Sequence, residues 1–404
     1  MSWDYDLVIA GGGMVGASLA AALAPLDLRI AVVETHQPDA AEQPSFDERS
    51  TAVAYGSRVI LETIGCWEAI SPQATPIDTI HISERGRPGI SRIAAREQGV
   101  PALGYVVPNR VIGHAVWPLL ESASNIELLT PASVEGVEID AGEAVLSVAI
   151  GDGTRRITTG LLIAADGARS RLREALGVDA SVSDYRQNAV VTTIATARPH
   201  RNTAYERFTD TGPLAVLPLD DDRCSVVWTV ARETCDTVLG WDDDAFMAKL
   251  QEQFGFRLGE IERVARRAAY PLFLVQAQQQ TRPRAVLLGN AAHGLHPVAG
   301  QGFNLSLRDV AALAETLAEH VDDPGGARML AQYDDWRRAD QKKVIAFTDG
   351  LVRLFTNPLA PVRGARNAGL IMFELLPGAK RLFARHTMGR AGKLPRLARG
   401  VPLV

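Results

Sequence analysis

Six residues, Gly11-Gly12-Gly13-Met14-Val15-Gly16, constrain this chain more than any others. They fit a G-x-G-x-x-G pattern and stand between a short apolar run, Asp6–Ala10, and an Ala/Leu-rich stretch, Val15–Ala24, that reads as a helix stopped near Pro25. Leu28–Glu34 is a second β-branched run, so the chain opens as a βαβ unit. In such a unit the glycines permit a tight turn, close approach of backbone to a pyrophosphate, and tight packing of helix on strand. Bare amides at the helix start then face the phosphates. Glu34 follows the last glycine by 18 residues, at the end of the second run, where a carboxylate can accept both ribose hydroxyl hydrogen bonds. The glycines alone are weak evidence; strand, helix and acid together make a dinucleotide site.

Two further stretches share this small-residue chemistry. Ala164-Ala165-Asp166-Gly167-Ala168-Arg169-Ser170 lies where a buried strand, Leu161–Ala165, gives way to a helix, Arg171–Leu176. Leu288-Gly289-Asn290-Ala291-Ala292-His293 continues through His296-Pro297-Val298-Ala299-Gly300-Gln301-Gly302-Phe303-Asn304 into a helix reaching Glu319. Small residues let backbone pass close to a large flat ligand, and the helix start favours partial negative charge.

Between these signals, Phe46–Gly65 reads as one helix capped by Asp47, and Pro72–Val107 as short strands such as Thr79–Ser83. A helix, Asn109–Glu121, and a β-meander over Ser133–Ile163 follow. Residues Ser181–Ala269 form a separate, mostly antiparallel region with strands Ala189–Ala197, Ala204–Phe208 and Cys224–Val230 and a helix near Asp243–Phe254. After the strand Ala285–Gly289, the last ~70 residues read as helices broken at Pro358, Pro361 and Pro377.

Composition excludes several classes. The 404 residues are 47% apolar with a net charge of −5, an ordinary globular balance that rules out disorder and stapled mini-scaffolds. Cys66, Cys224 and Cys235 have neither disulfide nor ligand spacing and read as thiols in a reducing cytoplasm. Asp4 and Asp6 stand where a signal peptide would be basic. The apolar stretch Ala368–Leu376 contains Glu374 and falls well short of the ~18–20 residues that span a bilayer. From Arg337 onward, however, fourteen Lys and Arg face three acids, a basic tail that is either a solvated helical face or a contact for an anionic surface.

In this order and spacing the three glycine-rich stretches resemble the group A FAD-dependent aromatic monooxygenases of the para-hydroxybenzoate hydroxylase fold, over nearly the whole chain. Asp47-Glu48-Arg49, Asn109-Arg110 and the GNAAHxLHPxAGQGFNLxLRD stretch look like the ubiquinone-biosynthesis hydroxylases. Asn290 in place of the usual Asp, with Met388-Gly389 and Leu394-Pro395-Arg396-Leu397, resembles the 2-polyprenyl-6-methoxyphenol hydroxylase branch. Val53, where relatives often have Leu, is a mild departure.

The resemblance implies an α/β fold: a Rossmann-like (GR2-type) FAD-binding domain, an inserted antiparallel substrate domain and a C-terminal helical region. The expected divisions are 1–72, 100–180 and 270–336 for FAD, 73–99 and 181–269 for substrate, and 337–404 for the helices. It implies bound FAD held by Gly11, Gly13, Met14, Val15 and Gly16, with Glu34 on the adenosine ribose, and Arg49 and Arg110 near the ribityl and phosphates. Asn290 would bond the ribityl–pyrophosphate region, Asp166 would support the cofactor and the meeting with NADH or NADPH, and Pro297, Gly300, Gln301 and Gly302 would line the isoalloxazine. The implied reaction is hydroxylation of a prenylated phenol by O2 through a flavin C4a-hydroperoxide, in a site kept dry against H2O2 loss.

The expected setting is the cytoplasm, or the inner face of the membrane or an assembly of biosynthetic enzymes, with no nucleic acid as partner. A hydroxylase of a small soluble aromatic compound and an FAD oxidase are the alternatives. No residue declares itself as a catalytic base. His293 and His296 lack a third ligand pattern, so no metal is expected, and Tyr205, Phe208 and Trp228 are core aromatics or pocket floor.

Overall fold

The computed structural model describes residues 3–37, 47, 49–140, 142–220, 222–357 and 359–404, with Ala299 described by its backbone alone. The buried apolar strand Tyr5–Ala10 has parallel neighbours on both sides, Gly153–Ala164 and Ile30–Val33. Ile126–Leu129 and Ala285–Leu287 extend this sheet outward, also in parallel. Strands covered on both faces must be apolar throughout, which is why they read as continuous hydrophobic runs. Ala132–Ile139, Ala144–Ile150 and Gly153–Ala164 form the expected antiparallel meander. The helix Met14–Leu23 is buried from Gly16 onward; its small residues let it lie against the sheet and the helix Gln301–Ala318.

A second sheet is built around Ala180–Thr196, paired antiparallel with Ala268–Ala277 on one side and Arg223–Ala231 on the other. Gly212–Asp220, Thr203–Thr209, Thr79–Glu84 and Ile90–Ala94 continue it; Thr203–Thr209 and Thr79–Glu84 pair in parallel, the others antiparallel. One face is closed by the helix Asp243–Phe254, whose Phe246, Leu250 and Phe254 pack on Val190, Leu214, Val226 and Trp228. Trp228 and Tyr205 therefore pack on the outer face of this sheet, against Phe246 and Phe254.

Two segments correct the sequence reading. Phe46–Gly65 is not one helix: Ser50–Ala54 is a strand, and the helix runs only over Tyr55–Thr63. Thr51 and Val53 pair antiparallel with Val107 and Tyr105, so a distant partner overrides a helix-like local pattern. Phe46 and Glu48 lie outside the described residues. In the tail, Ala327–Thr356, Ala360–Leu375 and Pro377–Thr387 are helices. Pro361 and Pro377 sit in first turns, where the missing amide has no partner to lose, so Pro361 opens a helix and does not break one. Pro358 lies outside the described residues. Cys66, Cys224 and Cys235 are buried and free, and burial pushes the Cys66 and Cys224 thiols up to about 12.

Candidate cofactor and substrate site

The glycine loop leaves Ala10 as a strand end and enters its helix at Met14 with Gly13 as an N-cap that offers no side chain, so the first helical amides stay bare. Gly11 adopts φ +108°, and a Cβ there would come 2.5 Å from the Ala165 carbonyl oxygen. A Cβ at Gly16 would lie 1.9 Å from the Gly11 carbonyl oxygen. Glu34 is buried beside this loop; its Oε2 accepts the Gly12 N–H at 2.6 Å and its Oε1 accepts the His36 N–H at 3.0 Å.

The other two stretches converge on the same loop. Asp166 follows the carbonyl that Gly11 abuts; its Oδ2 accepts the Leu172 N–H at 3.2 Å, while its buried Oδ1 has no hydrogen-bond partner among the described residues. Gly289, at φ +63°, rests on Val15, which carries the exposed Asn290 to the start of the first helix. Gly300, at φ +60°, is the side-chain-free N-cap of Gln301–Ala318 and lies on Ala52 of the corrected strand. Nothing lies within 4 Å of the position a Gly302 Cβ would take, and Pro297 is exposed, so this turn fronts open space. Gln301 is buried, its Nε2 reaching the Thr387 carbonyl at 3.4 Å. Asn304, which the sequence reading passed over, fixes the turn: its amide bonds the Ala52 carbonyl and the Ala54 N–H, each at 2.8 Å.

Arg49 and Arg110 are brought together through Asp47. Arg49 Nε donates to Asp47 Oδ2 at 2.5 Å, and the Arg110 N–H donates to the Asp47 carbonyl at 3.2 Å. The Arg49 guanidinium also covers the Tyr270 ring at 4.5 Å, linking this cluster to the second sheet.

The inner face of that sheet looks toward these elements. Phe208 stacks on Phe355 at 3.5 Å and clusters with Val298 of the Pro297–Gly300 turn, so of the three aromatics singled out it alone faces the site. His293 is engaged within the protein. Its Nε2 is 2.6 Å from Asp309 Oδ2, and Arg337 Nε donates to Asp309 Oδ1 at 2.6 Å. Burial alone would raise the Asp309 carboxyl, but the Arg337 charge and the His293 hydrogen bond hold it at about 2. Burial lowers His296 to about 4, so it is a neutral ring near neutral pH, and its Nε2 has no hydrogen-bond partner among the described residues. No cluster fit for a metal exists among the described residues.

These features suit a dinucleotide: a glycine loop whose Gly11 and Gly16 leave no room for a Cβ, two helix starts without side-chain caps, and a buried Asp166 oxygen without a hydrogen-bond partner among the described residues. The sequence profile of the FAD binding domain family matches residues 4–348. The chain belongs to this family. It is an FAD-dependent monooxygenase. Among relatives, ubiquinone hydroxylase UbiL of Rhodospirillum rubrum is 39% identical, over 98% of this chain and 93% of its own length. The 3-demethoxyubiquinol 3-hydroxylase of Escherichia coli is 31% identical over 95% and 98%. Among solved structures, p-nitrophenol 4-monooxygenase PnpA of Pseudomonas putida shares the fold of this monooxygenase, with a TM-score of 0.79 over 97% of this chain and 100% of that one at 18% identity.

Proposed function

We propose that this monooxygenase hydroxylates the aromatic ring of a polyprenylated phenol in ubiquinone biosynthesis, with NADH or NADPH as reductant and O2 as oxygen source. The observation that carries the reading is a row on the inner sheet face, Val191, Val227, Ala215, Glu206 and Ile82, apolar but for Glu206, whose Ile82 end packs with Val298 of the Pro297–Gly302 turn. Such a floor suits a hydrophobic ring and excludes water from it. The names of the relatives from Rhodospirillum and Escherichia support the same chemistry.

FAD, when bound, supplies the redox chemistry of hydride acceptance and oxygen activation. The chain's own part is orientation and charge. Glu34, tied to the Gly12 N–H, would accept from the ribose hydroxyls, the amides from Gly11 to Gly16 would take the pyrophosphate, and Arg49, Arg110, Asp166 and Asn290 would hold the ribityl–phosphate stretch. Asn290 lacks the charge of an Asp but keeps an acceptor and two donors. The bare amides after Gly300 would favour negative charge on a flavin held there, and Pro297 and Gln301 would line its ring.

A polyprenyl substrate partitions into membrane, and the tail helices fit a peripheral contact. Leu375, Leu376 and Leu382 are 67%, 48% and 59% exposed, with Ile371, Met372, Arg381 and Arg385 also on the surface. Apolar side chains among cations suit an anionic bilayer. Lys380, one of the cations of the basic tail, is instead buried, its Nζ donating to the Arg92 carbonyl at 3.0 Å and to Glu374 at 3.2 Å. No helix among the described residues is long and apolar enough to cross a membrane.

Mass spectrometry of the quinone pool in a strain lacking this protein tests the reading. A prenylated phenol short of one ring hydroxyl should accumulate and disappear on complementation; an unchanged pool would refute it.

A further inference from the structure

The apolar row has one ionisable member. Across five neighbouring strands Val191, Val227, Ala215, Glu206 and Ile82 are direct register partners, and Glu206 alone among them carries a charge-bearing group. Its neighbours on the same face of the strand bracket the site. Phe208 shares a cluster with Val298, while Ala204 clusters with Val106, the strand partner of Ala52 on which Gly300 lies.

Other buried or half-buried acids around this space are paired. Glu84 is bound by Arg366, Glu374 by Lys380, and Asp349 by Tyr185 and Arg353. Arg207, next to Glu206 on its strand, turns to the other face, where it donates to the Gln253 carbonyl and Ser83. His296, in the facing loop, is held neutral by burial. Glu206 makes no side-chain hydrogen bond or ion pair among the described residues, and its Oε1 is sealed from solvent. An unpartnered carboxyl on an apolar floor costs stability, and nothing in the fold uses it.

We propose that Glu206 is the general base that accepts the phenol hydroxyl proton. This rests on the phenol-hydroxylation reading above. The phenol O–H bond breaks, the proton passes to a Glu206 carboxyl oxygen, and the electron pair left on the phenol oxygen enriches the ring carbons that take up oxygen. As the ring regains aromaticity its displaced hydrogen leaves as a proton to solvent, and Glu206 returns its own proton to the product oxygen. No electrons are gained or lost at Glu206. Burial pushes the carboxyl up to about 7 with no charged neighbour contributing, which matches a base working near neutral pH. Below that range it is protonated and cannot accept, so turnover falls on the acid side.

The test uses wild-type, Glu206→Gln and Glu206→Asp holoenzymes with matched FAD content and a short-chain prenylated methoxyphenol as probe. Its readouts are the ultraviolet band of bound phenolate and kcat against pH. The wild type should bind the probe as phenolate at pH 8 and show an acid limb near pH 7. Glu206→Gln should bind it as neutral phenol with KM changed only a few-fold, lose the limb, and lose about 10²- to 10⁴-fold in kcat. Glu206→Asp should restore part of both signals. A wild type that turns over but shows no phenolate band, or a Gln variant that keeps band, limb and kcat, overturns the assignment even if another variant misfolds. A wild type that hydroxylates no phenol removes the reading beneath it, and the assignment with it.

Discussion

The Gly12 N–H donates to the Glu34 carboxylate at 2.6 Å, so the acid that ends the second strand is already tied to the glycine loop before any ribose reaches it. That contact keeps a buried carboxylate satisfied and aimed. Replacing Glu34 with Ala should weaken FAD binding by roughly 10- to 100-fold, the worth of charged hydrogen bonds at about 1.5–3 kcal/mol. Flavin fluorescence titration of apoprotein checks this; unchanged affinity would remove Glu34 from the site.

Gly302 offers a sharper separation of fold from cofactor. Because no described atom beyond its own helix turn lies within 4 Å of its missing Cβ, Gly302→Ala should leave the apoprotein as stable or up to about 1 kcal/mol more stable, as expected for Ala in a helix. The same methyl group should reduce FAD affinity if the isoalloxazine occupies that space. Melting curves with and without FAD read both effects.

The Asp309 carboxylate joins His293 to Arg337 inside the protein, and Asp309→Asn would leave the buried Arg337 charge with only the part-exposed Asp340 as ionic partner. A loss of about 3–5 kcal/mol is expected from denaturant midpoints at pH 7. Asp309 is held at about 2, below its ordinary 3.8, so its contribution is present above the unfolded value and fades as pH falls toward about 2. The gap between wild type and variant should therefore shrink only in strong acid.

Glu206 has the opposite sign. With its carboxyl raised to about 7 from 4.5, the folded state favours the proton; that advantage is complete below 4.5 and is lost as pH rises through about 7. Glu206→Gln should thus match wild type near pH 4 and be more stable by about 1–2 kcal/mol at pH 8, after allowing for partial solvent screening. Equal stability at pH 8 would mean the carboxyl is solvated.

Removing Arg381 and Arg385 together should abolish co-flotation with anionic liposomes at low salt, each basic group near a bilayer being worth roughly 1 kcal/mol. Flavin content should not change. Binding that persists at high salt or on neutral liposomes would contradict the electrostatic contact.

The parts of this site legible in sequence are those made by neighbours in the chain. Strand, glycines and helix follow within Tyr5–Leu23, and Gly300 opens its own helix, so their patterns announce them. Ser50–Ala54 was not legible because its partner strand, Gly104–Pro108, lies fifty residues away. Glu206 and Arg207 look alike as polar residues in a strand; only the register sends one to the inner face and the other outward. Lys380 reads as one more surface cation until the fold places Glu374 and the Arg92 carbonyl beside it.

Oxygen insertion into a phenol ring is the reaction on which every assignment above depends. Purified holoenzyme, supplied with NADH or NADPH, a prenylated methoxyphenol and ¹⁸O-labelled dioxygen, should yield a product carrying one labelled atom on the ring, with reductant consumed only when the phenol is present. Reductant oxidation that gives labelled hydrogen peroxide and leaves every phenol tested unchanged would contradict the account and mark the protein as an oxidase.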